Sequence, residues 1–416
     1  MHWLSSLLLL GAVVGLAHPQ CLTPNDNFQA VQYSTDLSGI TDFGLDLYKQ
    51  LSPGNSPRNF FFSPYSIWSA LSLAYIGSGG DTQKQLEAAL RVSGKLETFQ
   101  LMKALDNLYE QRTTNNSLYT FNLANRAYVD GTLNVKQCAK TILHNELRTV
   151  NFRNIGATAK DINDFVDETT KGRITNIVSP ADLVDALMVL VNAAFFKGTW
   201  KYQFKNSNTQ KKDFYISAQD TAPLAMMSQK GSFRYGESVS LGARILELPY
   251  SGEDISMFLL LPRSDLPFDT RFTNMINNLN AANLQEALNP RNMAFVEVDV
   301  ELPKFKFSMK LGEQLETAFK KMGIVDIFDA NLADLSGFDA RKDMSLKKAI
   351  HKSFIEVNEE GTEAAAATAL VFLTRSGVSK APQIVRFHCN EPFVFLIHDN
   401  QTRNVLFMGA IKNPRG

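Results

Sequence analysis

The sequence predicts a mixed α+β fold in one large domain, on three observations. Some segments carry apolar residues at the spacing of a helix, and others alternate apolar and polar residues as strands do. No repeat, low-complexity tract or Pro/Ser-rich linker divides the 416 residues into separate regimes of composition. A prior of roughly 150 residues per domain would suggest two or three domains, but the uniform composition favours one.

Helices are predicted where apolar side chains recur every three or four residues. Asp81 and Thr82 precede one such face and are expected to cap the start of its helix. Gly323 follows another face and suits a C-terminal cap. The residues that share one face are Leu86, Ala89 and Leu90; Ile162, Phe165, Val166 and Thr169; and Leu311, Leu315, Phe319 and Met322.

Strand patterns fill much of the remaining chain. Residues 295–302 alternate Val or Leu with acidic residues, which predicts a strand with one solvated face. Residues 186–196 are almost continuously apolar, which predicts a strand buried on both faces. Two further apolar runs, 393–399 and 404–411, flank a short polar turn and predict a hairpin.

Charge and the first residues bear on where the protein acts. The 42 Lys and Arg residues balance 42 Asp and Glu residues, so nothing in the net charge indicates a nucleic acid or a membrane as partner. Residues 1–17 form a short apolar stretch that ends in small residues, and we interpret them as a signal peptide cleaved after Ala17. The run is shorter than the ~20 residues of a spanning helix, so we expect a secreted, extracellular protein.

Export would expose the cysteines and sequons to the secretory compartment. The three cysteines, Cys21, Cys138 and Cys389, cannot all pair within the chain, and their pairing stays open. The sequons at Asn115 and Asn400 are candidate glycosylation sites, with unused surface asparagines as the alternative.

Motifs for catalysis are absent from the sequence. It contains no G-x-S-x-G elbow, P-loop, dinucleotide-binding turn or H-E-x-x-H pair. Residues 77–81 superficially resemble a serine-protease nucleophile turn but lack the preceding Asp. The six His residues show no metal-ligand spacing. We therefore expect neither an enzyme nor a metal or other cofactor.

An Ala-rich segment near the C-terminus, 359–376, has an unusual composition. As a helix it would be interrupted by Gly361 and diluted by Thr and Val, although a surface helix or flexible linker remains an alternative. As a strand it would direct Glu363 toward water and could slide between existing strands without overpacking the core. The small residues on its inner face would be Thr362, Ala364, Ala366 and Thr368.

Segments along nearly the whole chain resemble one protein family, the serpins. Residues 351–369, HKSFIEVNEEGTEAAAATA, look like the hinge of inhibitory serpins. Other matching segments are 59–86, 165–178, 190–200 and 387–414. The resemblance implies a single-domain serpin fold at 18–416, with three β-sheets, about nine helices and an exposed reactive-centre loop at about 359–382.

The resemblance also implies a function, irreversible suicide-substrate inhibition of a serine protease. The target protease would attack the loop and become joined to it as a covalent acyl-enzyme complex. The protease would then be carried along as the cleaved loop inserts into the main sheet. The family's bait position falls on Arg375, followed by Ser376, which suits trypsin-like proteases with an Asp in the specificity pocket. The hinge would comprise Glu359, Glu360, Gly361, Thr362, Glu363, Ala364, Ala365, Ala366, Ala367 and Thr368.

Polar residues inside apolar runs match two further serpin features. The family's shutter, a polar cluster beneath the main sheet, would use Ser63, Ser66, Asn192 and His351. The breach at the top of the sheet would use Trp200, Lys304 and Glu359. Taken one by one, each shutter residue is more often an ordinary core residue with its hydrogen bonds satisfied.

A non-inhibitory serpin, acting as a carrier or chaperone, is the alternative within the family. The small inner face of the hinge favours inhibition, and we expect a monomer that acts in a proteolytic cascade. A glycosaminoglycan partner is not indicated, because the basic residues occur singly among acids or as isolated pairs. The basic candidates weighed were Lys95, Lys103 and Arg112, and the pairs Lys211 with Lys212 and Lys347 with Lys348.

Overall fold

The computed structural model describes residues 37–52, 56–115, 118–341, 343–362 and 384–415. This part of the chain forms nine α-helices and fifteen β-strands. The helices are α1 (Ser38–Leu51), α2 (Pro64–Gly77), α3 (Gly80–Leu90), α4 (Lys95–Asn115), α5 (Gln137–Ile142), α6 (Ile155–Thr169), α7 (Phe268–Asn278), α8 (Ala281–Ala287) and α9 (Glu313–Lys321). In the described part, none of them is long and apolar enough to cross a membrane.

The strands form two hydrogen-bonded sheets, one of six strands and one of nine. The smaller has the order β10-β11-β12-β4-β2-β3, and the larger runs β1-β15-β14-β8-β7-β6-β9-β13 with β5 paired to β6. The strands are β1 (Phe60–Phe62), β2 (Tyr119–Asp130), β3 (Leu147–Val150), β4 (Met188–Thr199), β5 (Gln210–Tyr215), β6 (Thr221–Ser238), β7 (Ala243–Pro249), β8 (Ile255–Pro262), β9 (Ala294–Pro303), β10 (Phe305–Leu311), β11 (Leu346–Val357), β12 (Gly361–Thr362), β13 (Val385–His388), β14 (Phe393–Asp399) and β15 (Val405–Ile411).

The larger sheet consists of two parts joined by the long strand β6. Its residues 221–226 pair with β5, residues 226–235 with β9, and residues 234–238 with β7. One part therefore contains β5, β6, β9 and β13, and the other contains the remaining strands. With the smaller sheet, these two parts correspond to the three sheets that the resemblance implied, and the α+β fold is confirmed.

The main core lies between the smaller sheet and the second part of the larger sheet. Phe196 of β4 and Phe407 of β15 lie 6.4 Å apart across it, measured between ring centroids. All residues of β8, β14 and β15 are buried, as are all fourteen residues of α2. A helix buried on every side carries no polar face, which explains why α2 shows little helical amphipathicity in the sequence.

The opposite face of the smaller sheet is covered by α6. Ile162 and Val166 of α6 are fully buried in a second apolar cluster with Val189, Val191 and Ile350 of the sheet. The amphipathic pattern predicted this helix correctly, and the strands predicted at 186–196 and 295–302 and the C-terminal hairpin are also confirmed. The seam between β11 and β4 therefore has the main core on one side and α6 on the other.

Two details of the predicted helices are wrong. The cap of α3 is Gly79, and Asp81 and Thr82 lie inside its first turn. Leu311 belongs to the end of β10, where it pairs with His351, so the helix that follows starts only at Glu313. α3 thus begins earlier than the sequence predicted, whereas the helix after Leu311 begins later, because backbone caps and strand pairing set the ends of helices.

Candidate functional site

The seam between β11 and β4 is closed below and open at its top. The two strands pair in parallel from Leu346 with Met188 up to Phe354 with Phe195. Above that point β12 lies between them, with Thr362 opposite both Val357 and Gly198. The first residues of the predicted hinge are therefore already part of the smaller sheet.

Gly361 allows the chain to enter the sheet at this point. Its φ angle is +154°, and a Cβ atom built on it would lie 2.0 Å from the carbonyl oxygen of Gly198. No other residue could pass so close to the β4 backbone without displacing it. Gly361, which interrupts the Ala-rich pattern in the sequence, is thus required for the chain to enter the sheet beside β4.

Glu359 anchors the start of the hinge through a buried carboxylate. Its Oε2 lies 2.7 Å from Nζ of Lys304, and its Oε1 accepts a hydrogen bond of 2.7 Å from Oγ1 of Thr209. Burial raises the pKa of Glu359, but the hydrogen bonds from Lys304 and Thr209 outweigh it and hold the pKa below its ordinary value. Glu359 is 5% exposed, so the charge depends on these two partners.

Trp200 and Tyr250 hold the next residues of the hinge. Trp200 Nε1 donates to the carbonyl oxygen of Asn358 (3.0 Å), and the indole stacks on Tyr250 with centroids 4.5 Å apart. The hydroxyl groups of Tyr250 and Thr362 are hydrogen-bonded at 2.7 Å. Together with the backbone hydrogen bond from Trp200 N to the carbonyl oxygen of Glu360 (2.9 Å), these contacts tie 358–362 to the sheet.

The four predicted shutter residues meet below this anchor. Ser63 N donates to Nε2 of His351 (3.2 Å), so Nε2 is an acceptor and the neutral ring carries its proton on Nδ1. Nδ1 contacts Oδ1 of Asn192 on the neighbouring strand, and Asn192 Nδ2 donates to the carbonyl oxygen of Ser66 (2.8 Å). The hydroxyl of Ser63 caps α2 by accepting from Ser66 N (3.2 Å).

Burial determines the charge of the shutter histidine. His351 has no exposed surface, and burial lowers its pKa to about 3. The imidazole is therefore neutral at physiological pH, as its hydrogen bond from Ser63 N requires. The contact between His351 of β11 and Asn192 of β4 can form only while these two strands are adjacent.

Sequence reasoning missed several members of both clusters. Asn125 of β2 accepts from Ser66 Oγ (3.2 Å) and contacts Asn192, and Ser353 Oγ donates to the carbonyl oxygen of Phe61 (3.3 Å). Thr209 and Tyr250 complete the anchor of the hinge. Each lies far along the chain from its partner, so no local pattern reveals it.

Other predicted site residues lie outside the described part of the chain. They are Glu363, Ala364, Ala365, Ala366, Ala367, Thr368, Arg375 and Ser376. The side chain of Asn115, at the end of α4, is also outside it. Asn400 donates both Nδ2 hydrogens, to the carbonyl oxygen of Glu253 (2.9 Å) and to Ser256 Oγ (2.8 Å), and a glycan there would replace one of them.

The cysteines differ in state. Cys138 is disulfide-bonded to a partner outside the described residues. Cys389 is a fully buried free thiol, and burial raises its pKa far above the ordinary value. Cys389 is therefore unreactive in the folded protein.

Comparison with known proteins places this fold and site in a family. Residues 38–414 match the family model described as Serpin (serine protease inhibitor). The chain is 35% identical to the leukocyte elastase inhibitor of Homo sapiens over 388 residues, which cover 91% of this chain and 99% of that protein. It is 36% identical to Ipis-1 of Ixodes persulcatus over 382 residues, covering 90% and 97%. The structure of uncleaved ovalbumin superposes with a TM-score of 0.77 at 28% identity, covering 91% of this chain and 99% of that one.

The chain therefore belongs to the serpin family, which is described as a family of serine protease inhibitors. The match begins at residue 38, and the predicted domain boundary at residue 18 lies outside the described residues.

Reversing the charge of Glu359 is expected to release the hinge. Glu359→Lys places two cations together and leaves Thr209 without its acceptor, so β12 is held less tightly between β11 and β4. An open seam accepts strands from other molecules, and we expect more polymer after mild heating, measured by native gel and size exclusion. Glu356→Lys, which reverses the exposed pair with Lys306, is the control, and equal polymer yields in both variants would contradict this role.

Acid is expected to destabilise the protein through His351. The unfolded chain takes up a proton near pH 6.5, whereas the folded site stays neutral down to about pH 3. The stabilisation is therefore complete above pH 6.5 and declines as pH falls toward 3, by at most about 1.4 kcal/mol per pH unit. We expect His351→Gln to flatten the dependence of Tm on pH in this window.

The matched control for this measurement is His144→Gln, which removes an exposed histidine. It should retain the pH dependence of the wild-type protein. A slope that survives His351→Gln unchanged would show that other groups control acid stability.

Proposed function

We propose that this protein is an irreversible suicide-substrate inhibitor of a trypsin-like serine protease, with Arg375–Ser376 as its reactive bond. The observation that carries the proposal is β12, because the strand leading into the reactive-centre loop already pairs with both β11 and β4. A loop that begins inside the main sheet needs only to continue along the same seam. The missing catalytic motifs agree with an inhibitor.

The chemical step is an incomplete proteolysis. The serine hydroxyl of the protease attacks the carbonyl carbon of Arg375, the bond to the nitrogen of Ser376 breaks, and that nitrogen takes up the proton as it leaves. The protease is then joined to Arg375 through an ester. Insertion of the freed loop before hydrolysis of this ester leaves the protease in a covalent complex.

The register of β12 predicts where each inserted residue would lie. Thr362 faces Gly198 of β4 and Val357 of β11, and both pairings are antiparallel. Counting six residues down the loop reaches Thr368, and counting six residues down each partner strand reaches Asn192 and His351. The two counts agree, so full insertion would bring the Thr368 hydroxyl between the two shutter side chains.

This register gives a physical reason for the Ala-rich composition. Insertion separates His351 from Asn192 and would leave buried polar groups unpaired, at about 1–3 kcal/mol each, unless the new strand supplies a partner. A threonine at this level supplies a hydroxyl that both donates and accepts. Small residues above it fit the seam without overpacking, and two new ladders of backbone hydrogen bonds form.

The target protease has two candidate classes, trypsin-like and elastase-like. Arg375 fits a specificity pocket with an acidic floor, which favours trypsin-like enzymes. The relative from Homo sapiens is named an elastase inhibitor, which favours a protease that accepts small apolar residues. Leu373 and Thr374 precede the arginine, so a bond shifted by one or two residues would place an uncharged side chain, smaller than arginine, in the specificity pocket.

We propose extracellular action for this inhibitor. The apolar stretch at 1–17 supports it, and so does the disulfide at Cys138, because such bonds persist in oxidising compartments. A glycan at Asn115 would be compatible with secretion. A carrier or chaperone function remains the alternative, and it would need neither acylation nor insertion.

Incubation with trypsin tests both the mechanism and the bait. We expect an SDS-resistant complex with the wild-type protein and at least a tenfold loss of its rate of formation in Arg375→Ala, because the cation for the protease pocket is removed. Arg386→Ala, another exposed arginine, should behave as wild type. Clean cleavage without a complex would support the carrier, and a complex formed with elastase but not trypsin would reject the arginine assignment.

The register generates its own test. In Thr368→Val the intact protein should keep its thermal stability, whereas the cleaved, inserted form should lose about 1–3 kcal/mol because the shutter groups lose their partner. Thr368→Ser retains the hydroxyl and serves as the control. Cleaved forms of equal stability in Val, Ser and wild-type proteins would show that Thr368 does not reach Asn192 and His351.

A further inference from the structure

The disulfide at Cys138 has one candidate partner within this chain. The sequence contains three cysteines, Cys21, Cys138 and Cys389. Cys389 is a free thiol without exposed surface, so it is not the residue bonded to Cys138. Elimination leaves Cys21, which lies beyond the predicted cleavage site after Ala17 and would therefore stay in the mature chain.

Cys138 lies on a helix that reaches the protein surface. α5 connects β2 to β3 and packs on the core through Ala139, while Gln137 and Lys140 are exposed. Cys138 itself is half-buried. A sulfur in this position can be joined to a segment that crosses the surface, because neither the core nor a strand pairing has to open.

The start of α1 lies at one end of α3. A Cβ atom built on Gly39 would be 2.9 Å from the carbonyl oxygen of Arg91, the residue that follows α3. α3 extends for about 16 Å along its axis. At its other end it begins directly after Gly79, close to the end of α2 at Gly77.

Backbone hydrogen bonds lead from that second end of α3 to α5. Gly337 N donates to the carbonyl oxygen of Gly77 (2.9 Å), and Lys136 N donates to the carbonyl oxygen of Phe338 (2.7 Å). Lys136 caps α5, two residues before Cys138. Because chain segments joined by such bonds lie about 5 Å apart, the route from the start of α1 along α3 to Cys138 is roughly 30 Å long.

The chain before α1 is long enough for this route. Cys21 and Ser38 are 17 positions apart. A chain spans at most about 3.3 Å per residue, or roughly 56 Å over this segment, so Cys21 could reach Cys138 with roughly 25 Å to spare.

We propose that Cys21 and Cys138 form an intramolecular disulfide that fastens the N-terminal segment to α5. Each thiol loses its proton, one sulfur–sulfur bond forms, and the two electrons reduce the disulfide of an oxidant, such as oxidised glutathione, to two thiols. Disulfide oxidants of this kind act in the secretory pathway, so the pairing rests on the extracellular action proposed above.

The bond would stabilise the fold through the size of the loop it closes. Cys21 and Cys138 are 117 positions apart, and the loop between them contains α1, α2, α3 and α4. A crosslink over such a length removes many conformations from the unfolded chain and few from the folded one. The protein with the bond therefore resists unfolding better than the protein without it.

The same bond would not obstruct loop insertion. α5 lies between β2 and β3, on the β4 side of the seam. A strand inserted between β11 and β4 would displace that side by one strand spacing, about 4.8 Å, which is well below the spare length of the N-terminal segment. The crosslink thus acts on unfolding and leaves the inhibitory step free.

Peptide mapping of the full-length protein, expressed through a secretory pathway, tests the pairing. Without reductant, mass spectrometry should find the peptide of Cys21 joined to that of Cys138, and reduction should separate them. An alkylating reagent should modify Cys389 only after unfolding, because this thiol is buried. A free Cys21, a Cys138–Cys389 peptide or a reduction-sensitive dimer would overturn the proposed bond.

Thermal unfolding tests what the bond contributes. We expect Cys21→Ser/Cys138→Ser to lower Tm by about 3–6 °C, because the unfolded chain regains the conformations that the loop excludes. Lys140→Ser replaces an exposed residue of the same helix and should keep the Tm of wild type. Reductant should lower the Tm of wild type but not that of the double variant. Equal Tm values for wild type and double variant would overturn the stabilising role.

Inhibition kinetics test whether the tether is slack. The double variant should form its SDS-resistant complex with trypsin at a rate within twofold of wild type. A change of tenfold or more would overturn this part, since it would show that the tether restrains the movement of α5. A wild-type protein that forms no complex would contradict the proposed function, whereas the peptide map would still decide the disulfide, so the two failures are distinguishable.

Discussion

The parallel pairing of β11 with β4 is the contact on which the rest of this structure depends. It closes the lower part of the seam in the smaller sheet, where His351 and Asn192 join the two strands through their side chains. Above it the two residues of β12 hold the strands apart. The two strands are thus paired directly in the lower part of the seam and separated by β12 at its top.

The stability of the closed seam depends on its buried polar groups. His351, Asn192 and Glu359 are all nearly inaccessible to water, and each is satisfied by partners within the closed arrangement. Such groups stabilise a structure only while their partners are present, since an unpaired buried group costs more than a single hydrogen bond contributes. The closed seam is therefore stable as long as these partners stay in place.

Connections across the surface reinforce the same seam. At the top, Trp200 and Tyr250 bind the entering chain from the β4 side. On the α6 face, Asp182 bridges the connection before β4 to lysines of β10 and β11. These contacts hold the two sides of the seam together at its top and on its α6 face.

The sequence by itself determined the elements with a strong local pattern. The alternation at 295–302, the apolar run at 186–196 and the face containing Ile162 and Val166 each predicted a strand or helix that the structure contains. The small inner face of the Ala-rich segment and the resemblance of several segments indicated the family. These features are local, because the side-chain spacing of one segment already specifies which face it buries.

Only the tertiary structure decided which distant residues meet. Asn125, Thr209 and Tyr250 joined the clusters around the seam, and Lys310 met Lys352, through strand register and through packing between sheets. Gly361 was visible in the sequence as an interruption, but the need for it came from a β4 backbone that lies 163 positions earlier in the chain. Pairings of this kind depend on how strands far apart in sequence are brought side by side, and no periodicity within one segment encodes that.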